Sequence, residues 1–250
     1  MKKRKRRKVT KRFIAFIVIV VILIIVGISK AVKSIKTKKT SAEVQNNLEA
    51  IHNKIDNEGK ENKEIKDWRL KLANYDNILP EDFEIELSNI DENRQFDSRA
   101  IKYLNTMLDD MRKDGITNIW VQSAYRSVKS QRKLYDNSVK KYLDQGKSKK
   151  EAEELTLKYI NKPGASDHNL GLAVDFNNVD QDFEKMKGFE WLTENAEKYG
   201  FILRYPKDKE NITKINYEPW HWRYVGQEHA QKMNELNMCL EEYVKYLQKN

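Results

Sequence analysis

The chain predicts an α+β domain with a small, mainly antiparallel sheet flanked by helices. Three observations lead there. Four β-branched or aromatic segments, NIWVQSAYR (118–126), GLAVDF (171–176), FILRYP (201–206) and WHWRYV (220–225), read as strands. Each is short, and segments of helical periodicity are mixed among them. Aromatic and aliphatic density rises at Trp68 and stays high to Leu247, a span of roughly 180 residues that suits one domain with one core.

Taken in order, Asp97 or Ser98 can cap a helix that carries Ile101, Leu104, Leu108 and Met111 on one face and stops at Gly115. After the strand at 118–126, a polar helix runs through Gln131, Leu134, Tyr135 and Tyr142. Ser148 and Glu151 form a capping-box pattern that opens another helix to about Tyr159. A helix is expected over 183–199, ending at Gly200, and a last one over 227–248.

The N-terminus has a different composition. Residues 1–12 hold nine Lys or Arg and no acid, and residues 13–29, FIAFIVIVVILIIVGIS, form an uncharged run of 17. A bilayer-spanning helix needs about 17–25 apolar residues, whereas the apolar core of a cleaved secretory signal is nearer 7–15 and precedes a small-x-small site. Ser29-Lys30-Ala31 is a poor site of that kind, so 13–29 is expected to be an uncleaved transmembrane anchor. The dense basic flank then keeps 1–12 cytoplasmic and puts everything after about residue 30 outside the cell. Residues 30–66 are expected to be an extracellular stalk or linker, in which 40–66 are rich in Glu, Lys and Asn and His52 is a solvated side chain. The folded domain is expected over 67–250.

Net charge excludes one class of partner. The chain carries +9, but residues 1–40 alone hold 14 Lys/Arg and no Asp/Glu, which leaves −5 on the remaining 210. Basicity belongs to membrane topology, and no nucleic-acid face is expected. A single cysteine, Cys239, excludes an intramolecular disulfide, so the domain depends on its core or on a metal.

Three segments carry candidate chemistry. In GASDHNLGLAVDF (164–176), alternation along the strand puts Ala173 and Asp175 on one face, with Leu172, Val174 and Phe176 packing behind. An acid there needs a partner or a metal. His168 sits in the preceding loop, made flexible by Gly171. Alone, a histidine and an aspartate seven apart are more often an ordinary hydrogen bond. In EPWHWRY (218–224), Glu218 and His221 flank Pro219 and Trp220. His221 is a core histidine of an aromatic strand or, entering the same site, the third member of a two-imidazole, one-carboxylate set of the kind that leaves a catalytic zinc an open position. In SAYRSVKSQ (123–131), Arg126 is a surface charge at a strand end or, beside a metal-bound carbonyl, a donor to an oxyanion or a substrate carboxylate.

Taken together, the segments resemble the VanY/VanX-like zinc carboxypeptidases, bacterial D-alanyl-D-alanine and L,D-carboxypeptidases of the cell wall. The family's S-x-H-x-x-G-x-A-x-D appears as Ser166, His168, Gly171, Ala173 and Asp175. Its E-x-x-H appears as Glu218 and His221, and its S-x-Y-R-S with a following glutamine as Ser123, Tyr125, Arg126, Ser127 and Gln131. WLTENAEKYGFILRYP and EPWHWRYVG look like the VanY-type branch, and the resemblance runs from about Trp68 to Leu247.

The resemblance implies a zinc site at the sheet. His168, Asp175 and His221 would bind Zn2+, Glu218 would act as general base and then acid, and Arg126 would stabilise the anionic intermediate. Ser166, Gln131 and Arg126 would contact the terminal residues of a peptidoglycan stem peptide. His229 is expected to be structural. Two rivals keep the same scaffold, a non-catalytic zinc domain that grips wall peptides and an endopeptidase that cuts within the stem. Glu218 favours an enzyme, because a pure binding module needs no free carboxylate beside an open metal position.

Overall fold

The structure is a computed structural model that describes residues 64–250. The expected basic segment 1–12, the anchor 13–29 and all but the end of the stalk 30–66 lie outside those residues. Among the described residues no helix is long and apolar enough to cross a membrane. Ile65 already packs against a buried cluster, so the folded unit begins slightly ahead of residue 67.

Four strands, β3 (Val121–Ser123), β4 (Ala173–Phe176), β5 (Phe201–Leu203) and β6 (His221–Tyr224), form an antiparallel sheet in the order β3-β4-β6-β5. Ahead of it in the chain, β1 (Leu87–Asn89) and β2 (Gln95–Asp97) make a separate hairpin absent from the expected strands, although Phe83, Ile85 and Leu87 alternate with Glu84, Glu86 and Ser88. The helices are α1 (Ile101–Lys113), α2 (Val128–Asp144), α3 (Lys149–Leu157), α4 (Lys187–Asn195), α5 (Glu210–Thr213), α6 (Gln227–Leu236) and α7 (Leu240–Lys249).

Register assigns the two faces of the sheet. Val174 lies opposite Trp222, which in turn faces Leu203, and Phe201 lies opposite Tyr224. These residues join Leu104, Met107, Leu108 and Met111 of α1 in the larger buried cluster. The other face carries Asp175 opposite His221, and Arg223 between Ala173 and Ile202. Ile202 belongs to a second cluster with Leu70, Val225, Met233, Leu240 and Tyr243, closed by α6 and α7. In β3 the register shifts between Val121, which pairs with Phe176 on the core side, and Ser123, which pairs with Asp175. The bulge turns Ser123 towards the polar face although it stands two residues from a core valine.

Several sequence expectations change at element ends. Asp97 and Ser98 do not cap α1, whose N-cap is Ala100 without a side-chain bond. Asp97 instead ends β2, and its carboxylate accepts the Arg99 backbone N–H at 2.9 Å and the Arg99 guanidinium. The expected helix 183–199 is three pieces: a 3-10 turn at Gln181–Lys185 ending on extended Met186, then α4, then a 3-10 turn at Ala196–Tyr199 closed by left-handed Gly200. The expected helix 227–248 breaks where Asn237 turns left-handed, and α7 restarts at Cys239 with Glu242 accepting the Cys239 N–H. The Ser148–Glu151 capping box is present in both directions.

Gly171 is a rigid corner where the sequence suggested a flexible one. Its φ of +64° caps the 3-10 turn Asp167–Leu170, and a Cβ there would stand 2.6 Å from Ile85 Cδ1 and 3.2 Å from the Asp97 nitrogen. Gly171→Ala is expected to destabilise the domain by about 1–2 kcal/mol from backbone conformation alone, measured as a lower urea midpoint at unchanged slope.

Candidate active site

Register places the first two members of the site. Asp175 and His221 are direct cross-strand partners on the polar face, and His221 Nδ1 lies 3.2 Å from Asp175 Oδ1. A β-turn brings Glu218 in. Pro219 occupies its second position, and the His221 N–H donates to the Glu218 carbonyl at 3.2 Å. The spacing of three residues between Glu218 and His221 is thus one turn, which leaves Glu218 Oε2 3.3 Å from His221 Nδ1.

His168 arrives from the 3-10 turn Asp167–Leu170. Ser166 caps this turn, its Oγ accepting the His168 N–H at 3.4 Å, and Gly171 ends it. His168 Nδ1 lies 2.7 Å from the Ala124 carbonyl. A carbonyl only accepts, so Nδ1 carries the hydrogen and Nε2 presents its lone pair, 3.1 Å from Asp175 Oδ2. A lone pair and a carboxylate held face to face require a cation or a proton between them.

Those contacts make the fit to a metal testable on the residues themselves. One donor atom from each of His168, Asp175 and His221 lies within 4.8 Å of the others, and all three residues are buried. Among the described residues, Asp175 Oδ1 is one of the buried polar atoms left without a hydrogen bond, its 3.2 Å approach to His221 Nδ1 lacking hydrogen-bond geometry. Two imidazoles and one carboxylate form a donor set suited to zinc.

Arg126 lines the same cleft, about 590 Å3 in volume, with Ser166, Tyr205, Glu218 and Trp220. Its backbone is bound to the turn that carries His168: the Arg126 N–H donates to the His168 carbonyl at 3.0 Å, and Asn169 Nδ2 donates to the Arg126 carbonyl at 2.7 Å. The guanidinium donates through Nη1 to Gln131 Oε1 at 2.7 Å and through Nη2 to Ser123 Oγ at 2.9 Å. Gln131 spends its other end on the Asn161 carbonyl at 2.7 Å. Gln131 and Ser166, expected to meet substrate, both line the cleft and also hold protein groups, Arg126 and the His168 turn respectively.

The sequence did not single out Asn169 or Tyr205. The Tyr205 ring meets His221 edge-on at 4.8 Å between centroids, and its hydroxyl accepts Asn161 Nδ2 at 3.1 Å. Asn169 follows His168 and Tyr205 lies within WLTENAEKYGFILRYP, but nothing in their identity marks them. His229 lies elsewhere, between Tyr243 and Asp67, in a structural role. His52 is outside the described residues.

Burial sets the charges apart. Burial alone would raise the Asp175 carboxyl, but His168 and His221 outweigh it and hold Asp175 well below the usual carboxylate range. Burial pushes Glu218 up to about 7 against the pull of His221. For His168 burial dominates and lowers the ring below its usual value. His221 is opposite in outcome: burial would lower it, but Asp175 and Glu218 raise it from 6.5 to about 9. Between those values the folded, metal-free protein holds a proton that the unfolded chain has released. This stability is complete below 6.5 and is lost as pH climbs through about 9. A zinc ion must displace that proton, so apparent zinc affinity is expected to rise about tenfold per pH unit between about pH 7 and 9, then level off. Competition against a chromophoric chelator measures it, and a flat profile over that range would contradict the assignment.

The VanY family, D-alanyl-D-alanine carboxypeptidases, matches residues 93–227. A D-alanyl-D-alanine carboxypeptidase of Enterococcus faecalis (strain ATCC 700802 / V583) is 38% identical over 185 residues, 74% of this chain and 69% of that protein. Among solved structures, VanYB in complex with D-alanine-D-alanine is 37% identical with a TM-score of 0.64, over 71% of this chain and 97% of that one. A zinc complex of a mutant D,D-pentapeptidase VanY from the VanB-type resistance cassette is likewise 37% identical, with a TM-score of 0.63 over 71% and 99%. Matched over more than half its length and carrying the zinc donor set in place, the chain belongs to the VanY family of D-alanyl-D-alanine carboxypeptidases and is a zinc enzyme.

Proposed function

We propose that the chain removes the C-terminal D-alanine from peptidoglycan stem peptides that end in D-alanyl-D-alanine. The observation that carries this reading is the buried Glu218 carboxylate, 3.3 Å from His221 and outside the three-residue donor set. His168, Asp175 and His221 would hold zinc, which when bound would supply Lewis acidity for the scissile carbonyl and for a water.

The chain's own residues do the rest. Glu218, with its pKa raised to about 7, takes a proton from the attacking water at a carboxylate oxygen and later returns it to the leaving amine. Arg126 keeps its remaining N–H groups for the oxygen on which negative charge develops, because Gln131 and Ser123 each take only one. Ser166 and Gln131 contribute to the wall against which the terminal residue lies. The D-alanyl-D-alanine family match and the D-alanine-D-alanine complex of a relative 37% identical support a D,D substrate.

We also propose that 1–12 is cytoplasmic, that 13–29 spans the membrane, and that 30–66 carries the enzyme domain outside, where stem peptides lie. The support is the basic flank and the uncharged run of 17.

Three experiments bear on these proposals. Synthetic pentapeptide and tetrapeptide stems, followed by mass spectrometry, are expected to show loss of one alanine from the pentapeptide alone, abolished by a chelator. Glu218→Ala is expected to retain zinc while kcat falls about 10²–10⁴-fold, and Arg126→Ala to lower it about 10²–10³-fold. Wild-type turnover by Glu218→Ala would remove the base, and an intact pentapeptide would remove the activity. The full chain is expected to stay in the membrane pellet after alkaline carbonate washing, with external protease releasing the enzyme domain. Recovery in the supernatant would remove the anchor.

A further inference from the structure

Beside the site, and used by no step of the reaction, lies a wholly buried cluster of charge. Asp167, the residue before His168, takes Arg204 Nε on Oδ2 at 2.5 Å and Arg223 Nη1 on Oδ1. All three side chains are fully excluded from solvent. Arg204 continues to Glu241 of α7 through Nη1 and Nη2, at 2.9 and 2.6 Å. Arg223 Nη2 reaches the carbonyls of Arg69 and Lys71, at 2.8 and 3.1 Å.

Both arginines are also tied to His221. The Arg204 N–H donates to the His221 carbonyl at 3.1 Å. Arg223 stands two residues along β6, on the same face, two register steps from the Asp175–His221 pair. The Asp167 carboxylate therefore connects the turn that carries one zinc-binding histidine to the strand that carries the other. The two rings meet edge to face with centroids 4.8 Å apart. Burying such a network gains little stability over an apolar replacement, because desolvation offsets the attraction. Its distinctive property is directional: two guanidinium forks and one carboxylate admit few relative placements of their backbones.

We infer that Asp167 is a positioning residue for the zinc centre, setting the separation of His168 and His221 through Arg204 and Arg223. The inference rests on the reading of His168, Asp175 and His221 as the zinc set.

The test uses the full chain, stripped of metal and titrated with zinc against a chromophoric chelator. The visible spectrum of the cobalt(II) form reports ligand geometry. Asp167→Asn is expected to weaken zinc binding by about tenfold or more and to shift the cobalt bands. Because that variant leaves two buried guanidiniums short of a partner, Asp167→Asn with Arg223→Met is the companion, free of the unpaired charge at Arg223 and expected to show the same loss. Glu241→Gln breaks the cluster at its far end. It is expected to lower the melting temperature of the metal-free protein but to leave zinc affinity within about twofold. A folded double variant that binds zinc like the parent would overturn the inference. So would a Glu241→Gln loss as large as that of Asp167→Asn, which would mark the cluster as scaffold alone. A parent chain that binds no zinc would remove the underlying zinc reading as well.

Discussion

The register of β4 against β6 is the constraint on which the site depends. With Asp175 opposite His221, both groups emerge on one face while Val174 and Trp222 enter the larger core on the other. A slip of one residue would exchange the faces, burying charge in the apolar core and exposing Trp222. Apolar packing and donor geometry are therefore fixed by the same hydrogen bonds. The neighbouring features follow from that register. Ser123 reaches the polar face because β3 bulges beside Asp175, and Glu218 reaches it because a proline turn precedes His221.

Around this register the protein keeps two buried carboxylates in opposite states. Asp175 lies between two imidazoles and stays ionised, whereas Glu218 meets one imidazole and is pushed up by desolvation. A carboxyl group that binds a metal has to be ionised, and a proton carrier works best with a pKa near the working pH. One cleft supplies both conditions by differing neighbours, without different residue chemistry. Arg126 completes the charge pattern, held in place by Gln131, Ser123 and the turn that also carries His168.

Much of this was legible in the chain. The four strands of the main sheet appear where β-branched and aromatic runs occur, each shorter than its run because the ends bend into turns. The α1 face and the Ser148 capping box follow local rules that depend on residues three or four apart. Local rules fail where a distant partner decides the local structure. Asp97 has the chemistry of a helix cap, yet Arg99 and the β1 pairing hold it at a strand end. Periodicity continues through Met186 and Asn237, where the backbone in fact breaks. Gly171 looked like a flexible joint, but Ile85 and Asp97 leave no room for a side chain there, which makes it a fixed corner.

By itself the sequence determined which groups could do chemistry. Two histidines, an aspartate, a glutamate and an arginine stand at spacings whose reasons are local: a strand alternation, a proline turn and a glycine-capped turn. It also determined that the domain carries no intramolecular disulfide and that its basicity lies ahead of it. Only the tertiary structure decided what those groups do to one another. Burial and cross-strand distance set the Glu218 and His221 pKa values, Gln131 became a holder of Arg126, and Asp167 met two arginines 37 and 56 residues away. The physical reason is that electrostatic coupling depends on separation in space and on exclusion of water, and neither is a property of neighbours along the chain.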